Sequence, residues 1–320
     1  MSTVWDARHW SIADADLKDP TLPLITIGIL NYNRCDDLRQ TLDVITRGIR
    51  YPSIEIIVID NGSTDGSIQM LAHEFPNVLS YEVQQNNGVS SRNIVTRLAK
   101  GKYVFHFDND SNPATPATIF RVVKYLESHS EIDAISMSCY QPLTGITETE
   151  GWNNYRLRKK SEHAFEGIFV VEGGSCFRLD SLKKVQGYDE KWTYGSEGID
   201  LGLQFFKNGL KICLCPEFLT LHFFSSNMRP SDRRAYMNSR HMIWLIAKHW
   251  PLLALPILIM ILISRRVIAL LMHKGTWRAN LRGLKDGLKD IGYFLNARPK
   301  LTWRQVIELR RFYFFLFRWA

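Results

Sequence analysis

The chain has 320 residues, of which 45% are hydrophobic and 22% are charged. This composition is that of a globular protein, and the length allows either one large α/β domain with an appendage or two domains. The five cysteines form no Cys-X-X-Cys pair, and the first twenty residues are polar and carry several aspartates. We therefore expect no secretory signal and a reducing, cytoplasmic compartment.

The net charge of +8 is distributed unevenly along the chain. Residues 227–320 hold 18 Lys and Arg against 4 Asp and Glu, a charge of +14, which leaves −6 for the preceding residues. An acidic body followed by a basic region indicates contact with an anionic surface, either lipid headgroups or nucleic acid.

From Leu24 on, short apolar runs alternate with helical patterns. The predicted elements are strand Leu24–Leu30, helix Asp36–Thr46, strand Ile54–Ile59, helix Ser67–Glu74, strand Val78–Val83, helix Ser90–Ala99, the strand before Asp108, strand Ala134–Cys139, helix Glu197–Lys207, and strands Lys211–Cys215 and Phe218–Phe223. This alternation predicts a mostly parallel sheet with helices on both faces. The functional loops should follow the carboxyl ends of its strands.

Long apolar and basic helices are predicted from Ser231 onwards. The apolar run 250–263 is interrupted by Pro251 and Pro256, and it is shorter than the ~20 residues that a membrane-spanning helix needs. Tryptophans mixed with Arg and Lys are typical of helices on a membrane surface, although an ordinary helical subdomain packed on the body is the alternative. Long aliphatic runs do not contact phosphates, so we expect a membrane surface as the partner and no nucleic acid.

The sequence therefore divides into three parts. Residues 1–21 are an N-terminal extension, residues 22–226 form the α/β domain, and residues 227–320 form a C-terminal helical region that associates with the membrane.

Two carboxylates one residue apart, Asp108 and Asp110, follow a strand of β-branched and aromatic residues. They would repel each other unless a cation lies between them. Mg²⁺ or Mn²⁺ bound by one or two carboxylates usually completes its shell with phosphate oxygens and water. The same residues are also good turn formers, so a metal site and a plain turn both stay open at this point.

Four segments, taken in order, resemble the inverting glycosyltransferases of family 2, which have the Rossmann-like α/β fold called GT-A. The segments are Thr26–Arg34, Val58–Asp65, Asn86–Asn93 and Phe107–Asp110. Each is a weak signal alone, but each follows a predicted strand or opens a helix, and the resemblance covers about residues 22–225. It implies the transfer of a sugar from a nucleoside-diphosphate sugar to a glycan or lipid-linked glycan in the synthesis of a cell-surface polysaccharide.

The resemblance also implies which residues bind the donor nucleotide. These are Asn31, Tyr32, Arg34, Asp60, Asn87, Arg92, Asp108 and Asn109. Tyr32 would stack on the nucleobase, and Asp60 or Asn31 would hydrogen-bond its polar edge; the residues after Asp60 also suit an ordinary turn. The implied nucleotide is UDP, with dTDP and GDP as alternatives.

Mn²⁺ or Mg²⁺ is the cofactor that the resemblance implies, with Asp108 and Asp110 as ligands. His222, which follows a late strand, would be a third ligand, and a structural role beside its aromatic neighbours is the alternative. The glycines at 173 and 174 are expected to let the backbone approach the donor sugar closely.

The catalytic base is where the sequence departs from the family, whose members commonly have Glu-Asp at the start of a late helix. Gly198 stands where that Asp would be, so we expect the base to be Glu197, by its motif position, or Asp200, which shares a helix face with it. Asp200 could instead complement the helix dipole, and neither residue need be the base. Trp192 and Tyr194 are expected to stack on an acceptor sugar, with packing as the alternative.

Two further functions stay open. A nucleotidyltransferase would use a similar sheet and acid pair, but its first strand would open into a Gly-rich loop that Leu30–Arg34 lacks. A nucleotide-sugar-binding or scaffold protein that has lost its base would also account for Gly198. We expect a cytoplasmic enzyme that is peripherally associated with the inner face of the cell membrane.

Overall fold

The computed structural model describes six ranges of the chain: residues 17–147, 164–192, 195–223, 231–272, 276–297 and 299–312. It contains two compact units. The first unit comprises Met1–Thr193 and Leu210–Phe224, and the second comprises Tyr194–Gly209 and Ser225–Ala320. The helix that begins at Glu197 therefore groups with the C-terminal helices, whereas the sequence analysis placed it in the α/β domain.

The first unit is built on one sheet, which has ten strands within the described residues. The strands are β1 (Ile25–Asn31), β2 (Ile54–Asp60), β3 (Leu79–Glu82), β4 (Tyr103–Asp108), β5 (Ser111–Pro113), β6 (Ala134–Gln141), β7 (Ile146–Thr147), β8 (Phe165–Gly167), β9 (Ser175–Arg178) and β10 (Ile212–His222). Their order is β3-β2-β1-β4-β9-β6-β10-β5, with β7 paired to β6 and β8 paired to β10.

The sheet is mixed, which corrects the expectation that it is mostly parallel. β1 pairs in parallel with β2 and β4, but β9 lies antiparallel between β4 and β6. An apolar run shows that a strand is present and not which way it points, so the sequence could not reveal this reversal. A single strand, β10, replaces the two predicted near the end of the unit, with a register shift between Cys215 and Leu219.

Helices pack on this sheet through apolar faces. They are α1 (Cys35–Gly48), α2 (Ser67–Glu74), α3 (Arg92–Leu98), α4 (Thr118–Ser128) and α5 (Leu179–Leu182), and a short 3₁₀ turn at Gly88–Ser91 leads into α3. In α1, Leu38, Leu42 and Ile45 are buried at the spacing of one helix face. The helices predicted at the positions of α1, α2 and α3 are present, with ends displaced by at most a few residues, whereas α4 and α5 were not predicted.

The core of the sheet fixes the edge at which polar side chains meet. Phe105 and Phe107 of β4 are completely buried, and burying each contributes about 2–3 kcal/mol. Because β1, β2 and β4 run parallel, Asn31 pairs in register with Asp60, and Leu30 with Asp108. Three polar residues from distant parts of the sequence therefore end at the same edge of the sheet.

The second unit is helical within its described residues. Its helices are α6 (Glu197–Lys207), α7 (Ser231–His249), α8 (Leu255–Met272), α9 (Trp277–Lys289), α10 (Ile291–Leu295) and α11 (Trp303–Glu308). α9 packs closely on α7, since a Cβ at Gly283 would lie 2.3 Å from the Tyr236 carbonyl oxygen. Across the described ranges, none of the helices combines the length and the apolar character needed to cross a bilayer.

His241, in α7, gives the second unit a dependence on pH. Burial, together with the neighbouring Arg240, lowers the pKa of His241 to about 3, whereas a histidine in an unfolded chain has a pKa of about 6.5. Between these values the unfolded state binds one more proton than the folded state, so stability falls as the pH falls.

We expect His241 to contribute about 1.4 kcal/mol of lost stability for each pH unit below about pH 6. Urea unfolding across this range should show a shallower pH dependence for His241→Gln than for the wild type. The exposed His73 provides the control, and His73→Asn should keep the wild-type slope. Equal slopes for wild type and His241→Gln would contradict the assignment.

Candidate donor and metal site

Two carboxylates and one imidazole converge where β4 and β10 end. His222 Nε2 lies 3.1 Å from Asp110 Oδ1 and 3.8 Å from Asp108 Oδ2. One potential ligand atom from each of the three residues lies within 4.8 Å of the others. Oxygen and imidazole ligands at this spacing could hold a divalent cation. The structure thus brings together the three residues that the sequence analysis named as metal ligands.

The turn between the carboxylates is held by hydrogen bonds. The Asp108 N–H donates to Ser111 Oγ at 2.8 Å, and the Phe223 N–H donates to the Asp110 carbonyl oxygen at 2.8 Å. β5 runs antiparallel to β10, which places Ser111 opposite His222. The backbone therefore forms a turn, as one of the two interpretations predicted. This turn directs the side chains of Asp108 and Asp110 towards His222.

A buried arginine lies beside this triad, as we call Asp108, Asp110 and His222. Arg92 is 1% exposed; its guanidinium forms an ion pair with Asp108 and lies 3.5 Å from Glu172 Oε2. Burial alone would lower the pKa of Arg92, but the two carboxylates outweigh burial and raise it. Arg92 was predicted to bind the donor nucleotide, and the structure places its guanidinium against Asp108.

Glu172 and Tyr188 belong to the same network and were not predicted. The Tyr188 hydroxyl donates to Glu172 Oε2 at 2.8 Å and lies 3.3 Å from His106 Nδ1. Burial and the nearby Arg92 keep the pKa of His106 well below its usual value. In the sequence, Glu172 is marked only by its position directly before Gly173 and Gly174. A single glutamate matches no motif, so its role in this network could not be predicted.

The two glycines that follow Glu172 have different roles. A Cβ at Gly173 would lie 3.3 Å from Asp108 Oδ2 and 3.4 Å from His222 Nδ1, whereas a Cβ at Gly174 would lie 2.5 Å from Thr220 Oγ1. Gly173 therefore leaves room beside the triad. Gly174 allows close packing against β10 and does not face the triad.

Asn31 and Asp60 connect the ends of neighbouring strands. Asn31 Nδ2 donates to Asp60 Oδ2 at 2.8 Å, and Asn109 Nδ2 donates to Asn31 Oδ1 at 2.8 Å. The Ser63 N–H donates to the second oxygen of Asp60 at 2.7 Å. Both Asn31 and Asp60 are completely buried, which favours a role in shaping the site over direct contact with a nucleobase.

The remaining predicted nucleotide-binding residues lie on the surface of the first unit. Tyr32 is 46% exposed, and its ring is accessible for stacking. Arg34 donates to Asp37 at 2.7 Å and keeps part of its guanidinium exposed. Asn87, just before the 3₁₀ turn, is exposed as well.

A cavity of about 290 Å³ opens beside Asp110, between α1 and the segment that follows β5. Val44 and Phe223 line it and expose about two fifths of their surface. The triad therefore has open space next to one of its carboxylates.

The predicted base and acceptor residues differ in exposure. Glu197 is half-buried in the first turn of α6, and Asp200, one turn later, is 1% exposed. Trp192 is completely buried, which favours the packing alternative over stacking on an acceptor sugar. Tyr194 lies outside the described residues.

Comparison with known proteins gives the family. The model named Glycosyl transferase family 2 matches residues 26–186. Glycosyltransferase SunS, from the SPbeta prophage of Bacillus subtilis strain 168, is 28% identical over 141 residues, which cover 43% of this chain and 32% of SunS. The minor teichoic acid biosynthesis protein GgaB of the same organism is 29% identical over 166 residues, covering 48% of this chain and 18% of GgaB. The matched segments thus span a third or less of these relatives.

A solved structure shows the same fold. The mannosyltransferase PcManGT from Pyrobaculum calidifontis, in complex with GDP-Man and Mn²⁺, matches with a TM-score of 0.56 and 18% identity, over 96% of this chain and 85% of that chain. At this identity the likeness establishes the fold and not the substrate. With half of its length matched by the family model, the chain belongs to glycosyl transferase family 2.

Proposed function

We propose that this enzyme moves a sugar from a nucleoside-diphosphate sugar to a glycan or lipid-linked glycan of a cell-surface polysaccharide, with inversion at the anomeric carbon. The observation that carries the proposal is the convergence of Asp108, Asp110 and His222 at the strand ends of a family 2 fold. The name of GgaB, a teichoic acid biosynthesis protein, supports a cell-surface acceptor.

The triad would hold Mn²⁺ or Mg²⁺. Its two carboxylates suit either ion, and its imidazole favours Mn²⁺, because Mg²⁺ prefers an all-oxygen shell. A cation bound there supplies Lewis-acid stabilisation for the negative charge of the departing diphosphate. The Mn²⁺ and GDP-Man in the PcManGT structure support this assignment.

The residues around the triad would bind and orient the donor. The ion pair with the buried Arg92 holds Asp108 in place. Tyr32 offers an exposed ring for stacking on the nucleobase, and Asn87 offers an exposed amide for hydrogen bonds. UDP is the proposed nucleotide, with dTDP or GDP as alternatives.

Glu197 is the proposed base, on its motif position in the family. A single base that acts opposite the leaving diphosphate gives one displacement and therefore inversion, through an oxocarbenium-like transition state. Because Gly198 stands where family members commonly carry Asp, a protein that binds the donor without transferring the sugar is the second candidate. Release of the nucleoside diphosphate in the presence of acceptor separates the two.

We expect one nucleoside diphosphate to stabilise the protein in a metal-dependent way. At about 100 times its dissociation constant, a ligand adds about 2.7 kcal/mol to the free energy of unfolding. Thermal unfolding with UDP, dTDP, GDP and CDP, each with and without Mn²⁺ or Mg²⁺, measures the effect. Asp110→Asn should abolish the metal-dependent part, because it removes a charged ligand.

The control for that experiment is Asp36→Asn, since the Asp36 side chain is 87% exposed on α1. This variant should respond like the wild type. A folded wild type that no nucleotide stabilises, with or without metal, would overturn the proposed donor site.

We also expect Gly173→Ala to weaken Mn²⁺ binding by roughly tenfold, which is about 1.4 kcal/mol. The added methyl group would press on Asp108 and His222, so the ligands must move apart. Titration calorimetry with Mn²⁺ measures the affinity. Gly174→Ala is the matched variant: it should lower thermal stability through its clash with Thr220. Wild-type Mn²⁺ affinity in Gly173→Ala would contradict the proposed ligand set.

We further propose that the second unit contacts the cytoplasmic face of the membrane. Leu252 and Leu253, in the 3₁₀ turn that precedes α8, are 48% and 82% exposed, and Ile257 and Met260, near the start of α8, are 58% and 61% exposed. Exposed apolar side chains of this kind insert between lipid headgroups, and the basic charge of residues 227–320 suits anionic lipids.

We expect the full-length protein to float with vesicles that contain phosphatidylglycerol and to bind pure phosphatidylcholine vesicles less. Leu253→Ser combined with Met260→Ser should reduce flotation at least fivefold, because about 1 kcal/mol corresponds to such a factor. Leu143→Ser is the control, since Leu143 is 79% exposed in the first unit. Unchanged flotation of the double variant would exclude this face as the contact.

A further inference from the structure

α6 and α7, both in the second unit, are joined by a buried ionic cluster. Lys248 Nζ donates to Asp200 Oδ2 at 2.9 Å, and His249 Nε2 donates to Asp200 Oδ1 at 2.7 Å. A third donor, Gln204 Nε2, lies 2.9 Å from Asp200 Oδ2. Asp200, Lys248 and His249 are all at most 2% exposed. The carboxylate of α6 is thus fixed by two consecutive residues at the end of α7.

This cluster makes Asp200 a poor candidate for the base. Burial alone would raise the pKa of Asp200, but the Lys248 charge and the hydrogen bond from His249 outweigh burial and hold its pKa below the usual range. A carboxylate that accepts three hydrogen bonds and is shielded from solvent is poorly suited to take a proton from an acceptor hydroxyl. Of the two carboxylates predicted from the sequence, Glu197 is the better candidate.

A second contact holds the turn before α6. His241 Nδ1 donates to the Gly195 carbonyl oxygen at 2.6 Å, so the neutral ring carries its proton on Nδ1. Gly195 and Ser196 have φ values of 87° and 69°, the left-handed region that non-glycine residues rarely adopt. Such a conformation persists only where its surroundings enforce it, and His241 supplies that constraint.

The two contacts lie on either side of Glu197. His241 and Lys248 are seven residues apart on α7, close to two helical turns, so they share one face and lie about 10.5 Å apart along its axis. Side chains on that face hydrogen-bond to Gly195, which precedes Glu197, and to Asp200, which follows it. The backbone of Glu197 is therefore fixed from both sides by a single helix.

We propose that His241, Lys248 and His249 are positioning residues that set the orientation of Glu197 through Gly195 and Asp200. The inference rests on the proposed function, in which Glu197 is the base. It makes α7 necessary for the chemical step, besides any contact of the second unit with a membrane. Buried ion pairs are often no more stabilising than apolar residues of the same size, but their hydrogen bonds are directional, which is the property that positioning requires.

The test compares His249→Leu with His249→Gln in the full-length enzyme. Glutamine keeps an N–H donor for Asp200, and leucine does not. We expect His249→Leu to lower kcat at least tenfold, with KM for the sugar nucleotide within about twofold of the wild type, because a small misplacement of a catalytic group costs rate more than binding. His249→Gln should keep most of kcat. Lys248→Met should behave like His249→Leu, and Lys289→Met, at an exposed position of α9, like the wild type.

Hydrogen exchange of the amides of residues 195–201 separates failure of this inference from failure of the proposed function. Faster exchange there in His249→Leu, with the rest of the second unit unchanged, supports the positioning contact even if the wild type transfers no sugar. Wild-type exchange and wild-type kcat in a folded His249→Leu would overturn the inference. Equal losses of kcat in the leucine and glutamine variants would overturn it too, since the donor would then be irrelevant.

Discussion

The ion pair between Arg92 and Asp108 is the interaction on which the rest of the site depends. Asp108, Asp110 and Glu172 bring three formal negative charges to one edge of the sheet, and Arg92 brings a positive charge from the buried side. Carboxylates this close would otherwise repel one another or take up protons. Arg92 pairs with Oδ1 of Asp108, and Oδ2 lies 3.8 Å from His222 Nε2, on the side where a cation would be held.

This arrangement follows from the sheet. β1, β2 and β4 run parallel, so residues far apart in sequence end at one edge, and hydrogen bonds from Asn31 and Asn109 connect those ends. β10 then brings His222 to the same edge alongside β5. The order of the strands accounts for the convergence, and the packed aromatic residues of β4 keep it rigid.

The sequence predicted the local features well and the long-range ones less well. Strand β4 and the aspartates at and just after its end are local features, because a run of apolar β-formers followed by Asp-Asn-Asp predicts both a strand and the turn that ends it. The reversed direction of β9 depends on pairing across the sheet, and the contact of Arg92 with Glu172 joins residues far apart in the sequence, so neither leaves a periodicity. Asp200 is a similar case: its position predicted a helix start, and its partners Lys248 and His249 lie almost fifty residues away.

The division into two units assigns the proposed catalytic base, Glu197, to the second unit. α6, which carries Glu197, belongs with the C-terminal helices, so the helices for which a membrane contact was predicted also hold the helix of the proposed base. The glycine at position 198, where members of the family commonly carry Asp, is then compatible with sugar transfer. If Glu197 is the base, the contacts of α7 with Gly195 and Asp200 constrain its backbone.

The proposed donor site requires that Asp108, Asp110 and His222 together hold the cation that binds the donor diphosphate. Anomalous diffraction from crystals grown with Mn²⁺ and UDP tests it most directly, because it locates the ion independently of any activity. We expect a manganese peak coordinated by all three side chains and by diphosphate oxygens. A fully loaded crystal with the manganese bound elsewhere, or with the diphosphate bound away from these residues, would contradict it.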